Sequence, residues 1–278
     1  MLHRSLLALA GASLLSVTSL AAAAGEVTLD SVLAGKHRTE ANQARDQYRH
    51  PKETLAFFGI KPDMHVIEIT PGGGWYTEVL GPWLKGQGSL TAAVVDPASA
   101  SSDGAKKYYT KSNGDFAAKL AADPEHYSDV KTVSFKMGAA SFGDPGSADA
   151  VLTFRNVHNW TAAKADADMF NAFFNVLKAG GVLGVVEHRA ASGTSAEASA
   201  KSGYIAQDYV VKLATDAGFV LEAESEINAN PKDTKDHPNG VWTLPPNFAM
   251  GDKDHDKYAA IGESDRMTLR FRKPAAKQ

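Results

Sequence analysis

The sequence contains no cysteine. That excludes disulfide cross-links, a thiolate nucleophile and cysteine-ligated zinc. A lipid anchor on a cysteine is excluded for the same reason. The formal net charge of -3 lacks the basic surplus that nucleic-acid binding demands. Beyond the opening residues no apolar run approaches the ~20 residues of a bilayer span. There is no G-x-S-x-G elbow, no H-E-x-x-H and no Walker lysine motif. What remains is ordinary for a soluble globular chain: 278 residues, 44% hydrophobic and 22% charged, enough for one sizeable core.

The start reads as a targeting signal. Met1 to Arg4 are weakly positive, Leu6 to Leu20 are apolar, and small residues run from Ala21 to Gly25. Ala22-Ala23-Ala24 fits an A-x-A cleavage site. A cleaved leader over residues 1–24 is expected, with export to the periplasm or beyond. The competing reading, a retained anchor, suffers from the shortness of the run.

Residues 25–50 are polar, with a helical stripe of Val27, Leu29, Val32 and Leu33. Pro51 opens a further helix, as proline suits a first turn. From Met64 onward strands alternate with helices. Strand patterns fall at 64–70, 90–95, 130–135, 149–154, 182–186, 219–227 and 267–272. Helix patterns fall at 75–84, 98–122, 164–177 and 204–217, with Gly180-Gly181 expected to cap the third of these. Such alternation predicts βαβ units: an α/β fold, doubly wound on a mostly parallel seven-stranded sheet. Nearly continuous apolar strands predict helices on both faces. The alternating apolar and basic residues of 267–272 predict an antiparallel edge strand. The Ala/Ser-rich stretches at 97–102 and 190–202 read as loops. Residues 228–266 break the rhythm and are expected to form a lid-like insertion, since Trp242, Leu244 and Phe248 give it apolar surface to bury.

The strongest local signal is Glu68-Ile69-Thr70-Pro71-Gly72-Gly73-Gly74, between the first strand and its helix. Glycine lets a backbone turn sharply and approach a ligand, and the following helix aims its amides at the turn. Thr77 stands where a nicotinamide-binding G-x-G-x-x-G would place its third glycine, which disfavours hydride transfer. Asp96 ends the second strand. There it either accepts from both ribose hydroxyls of a nucleoside or caps the turn before Pro97.

Together these segments resemble class I S-adenosylmethionine-dependent methyltransferases, from about residue 50 to the end. Glu68, Gly72 and Gly74 match the family's acid-x-Gly-x-Gly-x-Gly motif, and Thr70 replaces its first glycine, where it would crowd the cofactor's methionine part. Asp96 matches the strand-two acid. Gly138-Ala139-Ala140-Ser141-Phe142 keeps the shape of the third motif without its acid, leaving backbone amides and Ser141 to serve. The phrases Arg155-Asn156-Val157-His158-Asn159-Trp160 and Glu263-Ser264-Asp265-Arg266-Met267-Thr268-Leu269 are similar to those of exported members. The resemblance implies S-adenosylmethionine as cofactor, held by Glu68, Thr70, Gly72, Gly74, Asp96, Ser141 and Asn156, and a small-molecule acceptor.

Methyl transfer needs alignment above all, and a base only when the acceptor carries a proton. His158 is the candidate base, an unperturbed imidazole titrating near ~6.5; otherwise it is a structural histidine. Arg155 either holds an anionic acceptor or makes an ion pair. Trp160 reads as packing. His188, in Glu187-His188-Arg189 at the end of strand five, reaches the same rim or caps a loop. Tyr48, with Arg49 and His50, closes over the cofactor or forms a solvated face. His237 and Trp242 belong to the insertion. No metal is expected, because the spacing of Asp233, Asp236 and His237 is too weak a signal. The alternative to an enzyme is a repurposed exported binding protein that keeps the fold.

Overall fold

The computed structural model describes residues 27–275; the expected leader lies outside the described residues. Seven strands form one sheet: β1 (His65–Ile69), β2 (Ser89–Val95), β3 (Lys131–Phe135), β4 (Ala148–Phe154), β5 (Leu177–His188), β6 (Val220–Ser225) and β7 (Arg266–Arg272). Their order is β3-β2-β1-β4-β5-β7-β6. All neighbours from β3 to β5 are parallel, and β7 is antiparallel to both β5 and β6. The chain winds outward from β1 to β3, then returns to lay β4 on the other side of β1. At such a switch the connections diverge and leave a crevice beyond the carboxyl ends of the strands.

The side-chain period of two sorts each strand between two cores. Ile67 and Ile69 face one side with Val151, Leu183, Phe170 and Phe173, while Val66 faces the other with Leu152, Val79, Leu80 and Phe58. Each such fully buried aliphatic or aromatic side chain contributes roughly 1.5–3 kcal/mol. Glu68 shares the face of Val66, so the alternation itself drives a carboxyl under the helix that follows the glycine turn.

Before β1 come α1 (Leu29–Leu33), α2 (Glu40–Gln43), α3 (Asp46–Arg49) and α4 (Pro51–Phe58). The N-terminal stretch is thus a set of short helices, not one continuous stripe. Pro51 opens α4, and Gly59 closes it at φ +72°. Next are α5 (Thr77–Leu84), α6 (Asp103–Ala122) and α7 (Pro124–Tyr127). The helix expected at 164–177 is α9 (Asp166–Val176), and a further short helix, α8 (Val157–Ala162), precedes it. Lys164 between them takes a left-handed φ of +56°. Gly180-Gly181 is not a cap. It lies inside β5, where a Cβ on Gly181 would sit 2.9 Å from the Lys178 carbonyl oxygen, beside a register shift against β4.

Further along are α10 (Ala196–Ser202), α11 (Gln207–Asp216) and α12 (His255–Ile261). The expected loop at 190–202 therefore contains a helix, with Ser195 accepting from the Ala198 amide at its N-terminus. The last strand is antiparallel as its pattern suggests, but lies one place in from the edge, which β6 occupies. No helix among the described residues is long and apolar enough to cross a membrane.

Candidate functional site

Beyond Ile69 the chain turns through Thr70 (φ +50°), Gly72 (φ +59°) and Gly74 (φ +74°). The Thr70 amide still donates to Ala93 O of β2 (2.7 Å), so the turn starts in sheet register. A Cβ on Gly72 or Gly73 would meet nothing within 4 Å, whereas one on Gly74 would press on the Phe116 ring at 3.0 Å. The first two glycines leave bare backbone toward open space; the third admits α6. Threonine at a left-handed φ is strained, because its branched Cβ crowds the backbone, and Thr70 Oγ1 is buried without a partner among the described residues. Across the switch point Arg155 is also left-handed (φ +63°). Two non-glycine strains thus flank one crevice.

Glu68 accepts a 2.6 Å hydrogen bond from Thr77 Oγ1. Burial pushes its carboxyl up to about 7, against the opposing effects of the Thr77 bond and Lys119.

A cavity of about 630 Å³ opens over this turn, within the ~300–1,000 Å³ range of small-molecule sites. Its walls come from α2 and α3 (Asn42, Arg45, Arg49), the start of α6 (Tyr108, Tyr109), the ends of β4 and β5, the insertion (Trp242) and the approach to β7 (Glu263, Ser264). Tyr76 stacks on Phe154 with ring centroids 3.5 Å apart.

His158 sits on the first turn of α8 and faces this cavity. Its Nδ1 lies 3.0 Å from Glu187 Oε1. Glu187 is fully buried; its other oxygen accepts from the Val157 amide at 2.6 Å, and Oε1 also accepts from the His188 amide at 2.8 Å. One carboxylate therefore fixes the start of α8, the end of β5 and the imidazole together. Nε2 of His158 makes no hydrogen bond with the described residues, which leaves it available to a ligand. His188 Nδ1 pairs with Ser264 Oγ at 2.5 Å. Burial, and then the charge of neighbours including His158 and Arg155, hold the His188 imidazole well below its ordinary range. Asn156 lines the cavity while its Nδ2 donates to Ile69 O (3.0 Å), tying the ends of β4 and β1.

The ligand atoms of His158, Glu187 and His188 lie within 4.8 Å of one another. The donor set opposes a cation all the same. Both Glu187 oxygens are already engaged, and Arg155, Arg266 and Arg49 put positive charge beside His188.

That charge is a second feature of the cavity. Glu263 meets Arg45 Nε at 2.6 Å, Arg266 Nη2 at 2.7 Å, Arg49 Nε at 3.2 Å and Arg155 Nη1 at 4.0 Å. Burial alone would raise this carboxyl; the guanidiniums hold it down at about 2. Burial, with Arg266 and Arg45 nearby, brings Arg155 to about 10 despite Glu263. Arg49 is buried over the Trp75 ring (4.6 Å), and neither its Nη1 nor its Nη2 has a partner among the described residues.

Of the expected site residues, Glu68, Thr70, Gly72, Arg155, Asn156, His158, His188 and Trp242 share this cavity. Gly74, Asp96, Ser141, Tyr48 and His237 are not on its wall. Gly74 is taken up by packing against Phe116. Asp96 Oδ1 accepts from the Ala98 amide at 2.9 Å, capping the short turn after Pro97. Ser141 is exposed to solvent on a loop. Tyr48 packs over Gly262, and His237 is held by Asp233 at 2.9 Å. The orienting role of Glu187 and the gathering role of Glu263 were not foreseen. The first had a visible signal, an acid at the end of an apolar strand. The second is formed by residues 214 and 218 positions apart, which local pattern does not reveal.

No protein-family model matches this chain, and no curated protein matches it. Solved structures do. A SAM-dependent methyltransferase from Aquifex aeolicus is 13% identical, with a TM-score of 0.54 over 83% of this chain and 93% of that one. The cyclase SpnF is 16% identical, with a TM-score of 0.56 over 89% and 92%. An O-methyltransferase of neocarzinostatin biosynthesis, solved with S-adenosylmethionine and 2-hydroxy-5-methyl naphthoic acid, is 14% identical, with a TM-score of 0.50 over 83% and 55%. The fold is that of S-adenosylmethionine-dependent methyltransferases.

Proposed function

We propose that this chain is an exported S-adenosylmethionine-dependent methyltransferase acting on a small-molecule acceptor. One observation carries the reading: an open glycine bend and an imidazole oriented by a buried carboxylate face the same cavity. Bound S-adenosylmethionine supplies a methyl group made electrophilic by its sulfonium. The bare backbone at Gly72 and Gly73 is where the cofactor is cradled, with Asn156, Tyr108 and Tyr109 on the flanking walls. Nε2 of His158 takes the acceptor's proton as the new bond forms. Glu187 holds the ring by Nδ1 and stabilises the imidazolium that results. Trp242 and the aromatic pair Tyr76 and Phe154 exclude water from the acceptor.

A second reading, a repurposed binding protein, is favoured by two features. Thr70 intrudes where a glycine would leave room, and Asp96 spends one oxygen on a cap.

Calorimetry with S-adenosylmethionine and S-adenosylhomocysteine tests the first reading. Binding of both is expected; no heat at millimolar ligand would end it. Binding without transfer to any acceptor, in protein whose His158→Ala variant behaves identically, would favour the second. Export is tested separately by mass spectrometry of the mature chain, for which a start near Gly25 is expected.

A further inference from the structure

We propose that the acceptor is an anion, an aromatic carboxylate whose charged end docks on the arginines around Glu263. This deepens the methyltransferase reading and rests on it.

Four guanidiniums, those of Arg45, Arg49, Arg155 and Arg266, converge on a single carboxylate. The other acids near the cavity do not offset them. Glu187 is committed to His158 and two backbone amides. Glu68 lies under Thr77 at the far side of the bend, and Asp46 is bonded to Arg38. A buried guanidinium whose terminal nitrogens lack hydrogen-bond partners is costly, even when its Nε is paired. Arg49 is in that position, 2% exposed, with both terminal nitrogens unpartnered and its side chain on the cavity wall. Arg155 lines the same space with its side chain partly exposed.

S-adenosylmethionine carries an ammonium, a carboxylate and a sulfonium, so it enters with net positive charge and leaves the chamber's overall surplus uncorrected. An anionic acceptor corrects it. Arginine forks match carboxylate geometry in bidentate fashion. The rest of the wall specifies what bears the carboxylate. Tyr76 stacked on Phe154, together with Trp242, gives this wall an aromatic lining suited to an aromatic ring. His158 faces the same space, where it can reach a protonated group on that ring. The arrangement also explains why the His158, Glu187 and His188 cluster is a poor cation site: the cavity is built for the opposite sign.

The test uses the full mature chain in low-salt buffer, with benzoate as probe and benzamide as its neutral isostere. Calorimetry should show benzoate binding at least tenfold tighter than benzamide, weakening as salt is raised. Arg155→Gln should lose at least tenfold of the benzoate affinity while retaining S-adenosylhomocysteine binding. Should that variant fail to fold, the benzoate-to-benzamide ratio in the unmodified chain still decides. Equal binding of the two probes, or no benzoate binding at tens of millimolar, overturns the proposal. So does direct competition between benzoate and S-adenosylhomocysteine with both weakened alike by Arg155→Gln, since the wall would then serve the cofactor's own carboxylate. The two readings fail separately. Cofactor binding without charge discrimination ends the anion site alone. Charge discrimination without cofactor binding ends the methyltransferase assignment and leaves a carboxylate-binding cavity.

Discussion

Nδ1 of His158 lies 3.0 Å from a Glu187 oxygen that also accepts the amide of His188. The imidazole is therefore anchored to the end of β5, not merely to its own short helix. Truncation and isosteric change at Glu187 should differ. Glu187→Ala leaves the Val157 and His188 amides without an acceptor, at a cost of about 1–3 kcal/mol each, seen as a lower urea midpoint. Glu187→Gln keeps an acceptor and most of the fold. For an acceptor that must lose a proton, it should cut kcat about 10²-fold or more while leaving cofactor affinity unchanged. An unaltered kcat would remove His158 from the chemistry.

Thr70 is a natural site for stabilisation. Its left-handed backbone carries a strain on the order of 1–3 kcal/mol, and its hydroxyl is buried without a partner. Glycine relieves both and gives back ~0.5–1 kcal/mol in chain entropy. Thr70→Gly should raise the unfolding free energy by about 1 kcal/mol, seen as a higher urea midpoint, and tighten S-adenosylhomocysteine binding. A lower midpoint would mean that the threonine methyl packs better than its surroundings suggest.

Two buried carboxyls should give stability opposite dependences on pH. Glu68 is raised from 4.5 to about 7, so the folded chain holds that proton more tightly than the unfolded one. Its contribution is intact below pH 4.5 and is lost as pH rises to about 7, by on the order of 3 kcal/mol. Glu263 is lowered from 4.5 to about 2. Its contribution is intact above pH 4.5 and is lost as pH falls toward 2. Urea unfolding across pH 2–8 should show Glu68→Gln gaining on the parent as pH rises from 4.5 to 7. Glu263→Gln should be destabilised above pH 4.5, by about 3–5 kcal/mol for a broken buried pair, and partly rescued by phosphate. Parallel curves for parent and Glu68→Gln would show that the carboxyl is solvated.

The sheet was legible because its strands are continuous β-branched and alanine runs such as Leu90–Val95, bounded by turn residues. The bend was legible because Gly72-Gly73-Gly74 falls where a strand pattern becomes a helix pattern. What local pattern did not reveal was which side chains the crevice would gather. Asp96 has the right place in the order, yet Pro97 follows it, and an aspartate before such a turn has a closer partner in the backbone two residues on. Gly180-Gly181 reads as a helix cap by composition; pairing with β4 and the Lys273 carbonyl overrides it. The arginine wall joins residues 45 and 49 to residues 155, 263 and 266, a meeting that only the closed sheet brings about.

Arg49 rests 4.6 Å above the Trp75 ring, and Trp75 and Trp242 are on the cavity wall while Trp83 and Trp160 are in the core. Half of the molecule's four indoles thus report on the chamber, one of them with a cation poised over its π-face. Occupancy should register as a change in intrinsic emission, with no label attached. Acrylamide quenching of Trp75→Phe and Trp242→Phe would then separate light arising at the arginine end from light arising at the insertion.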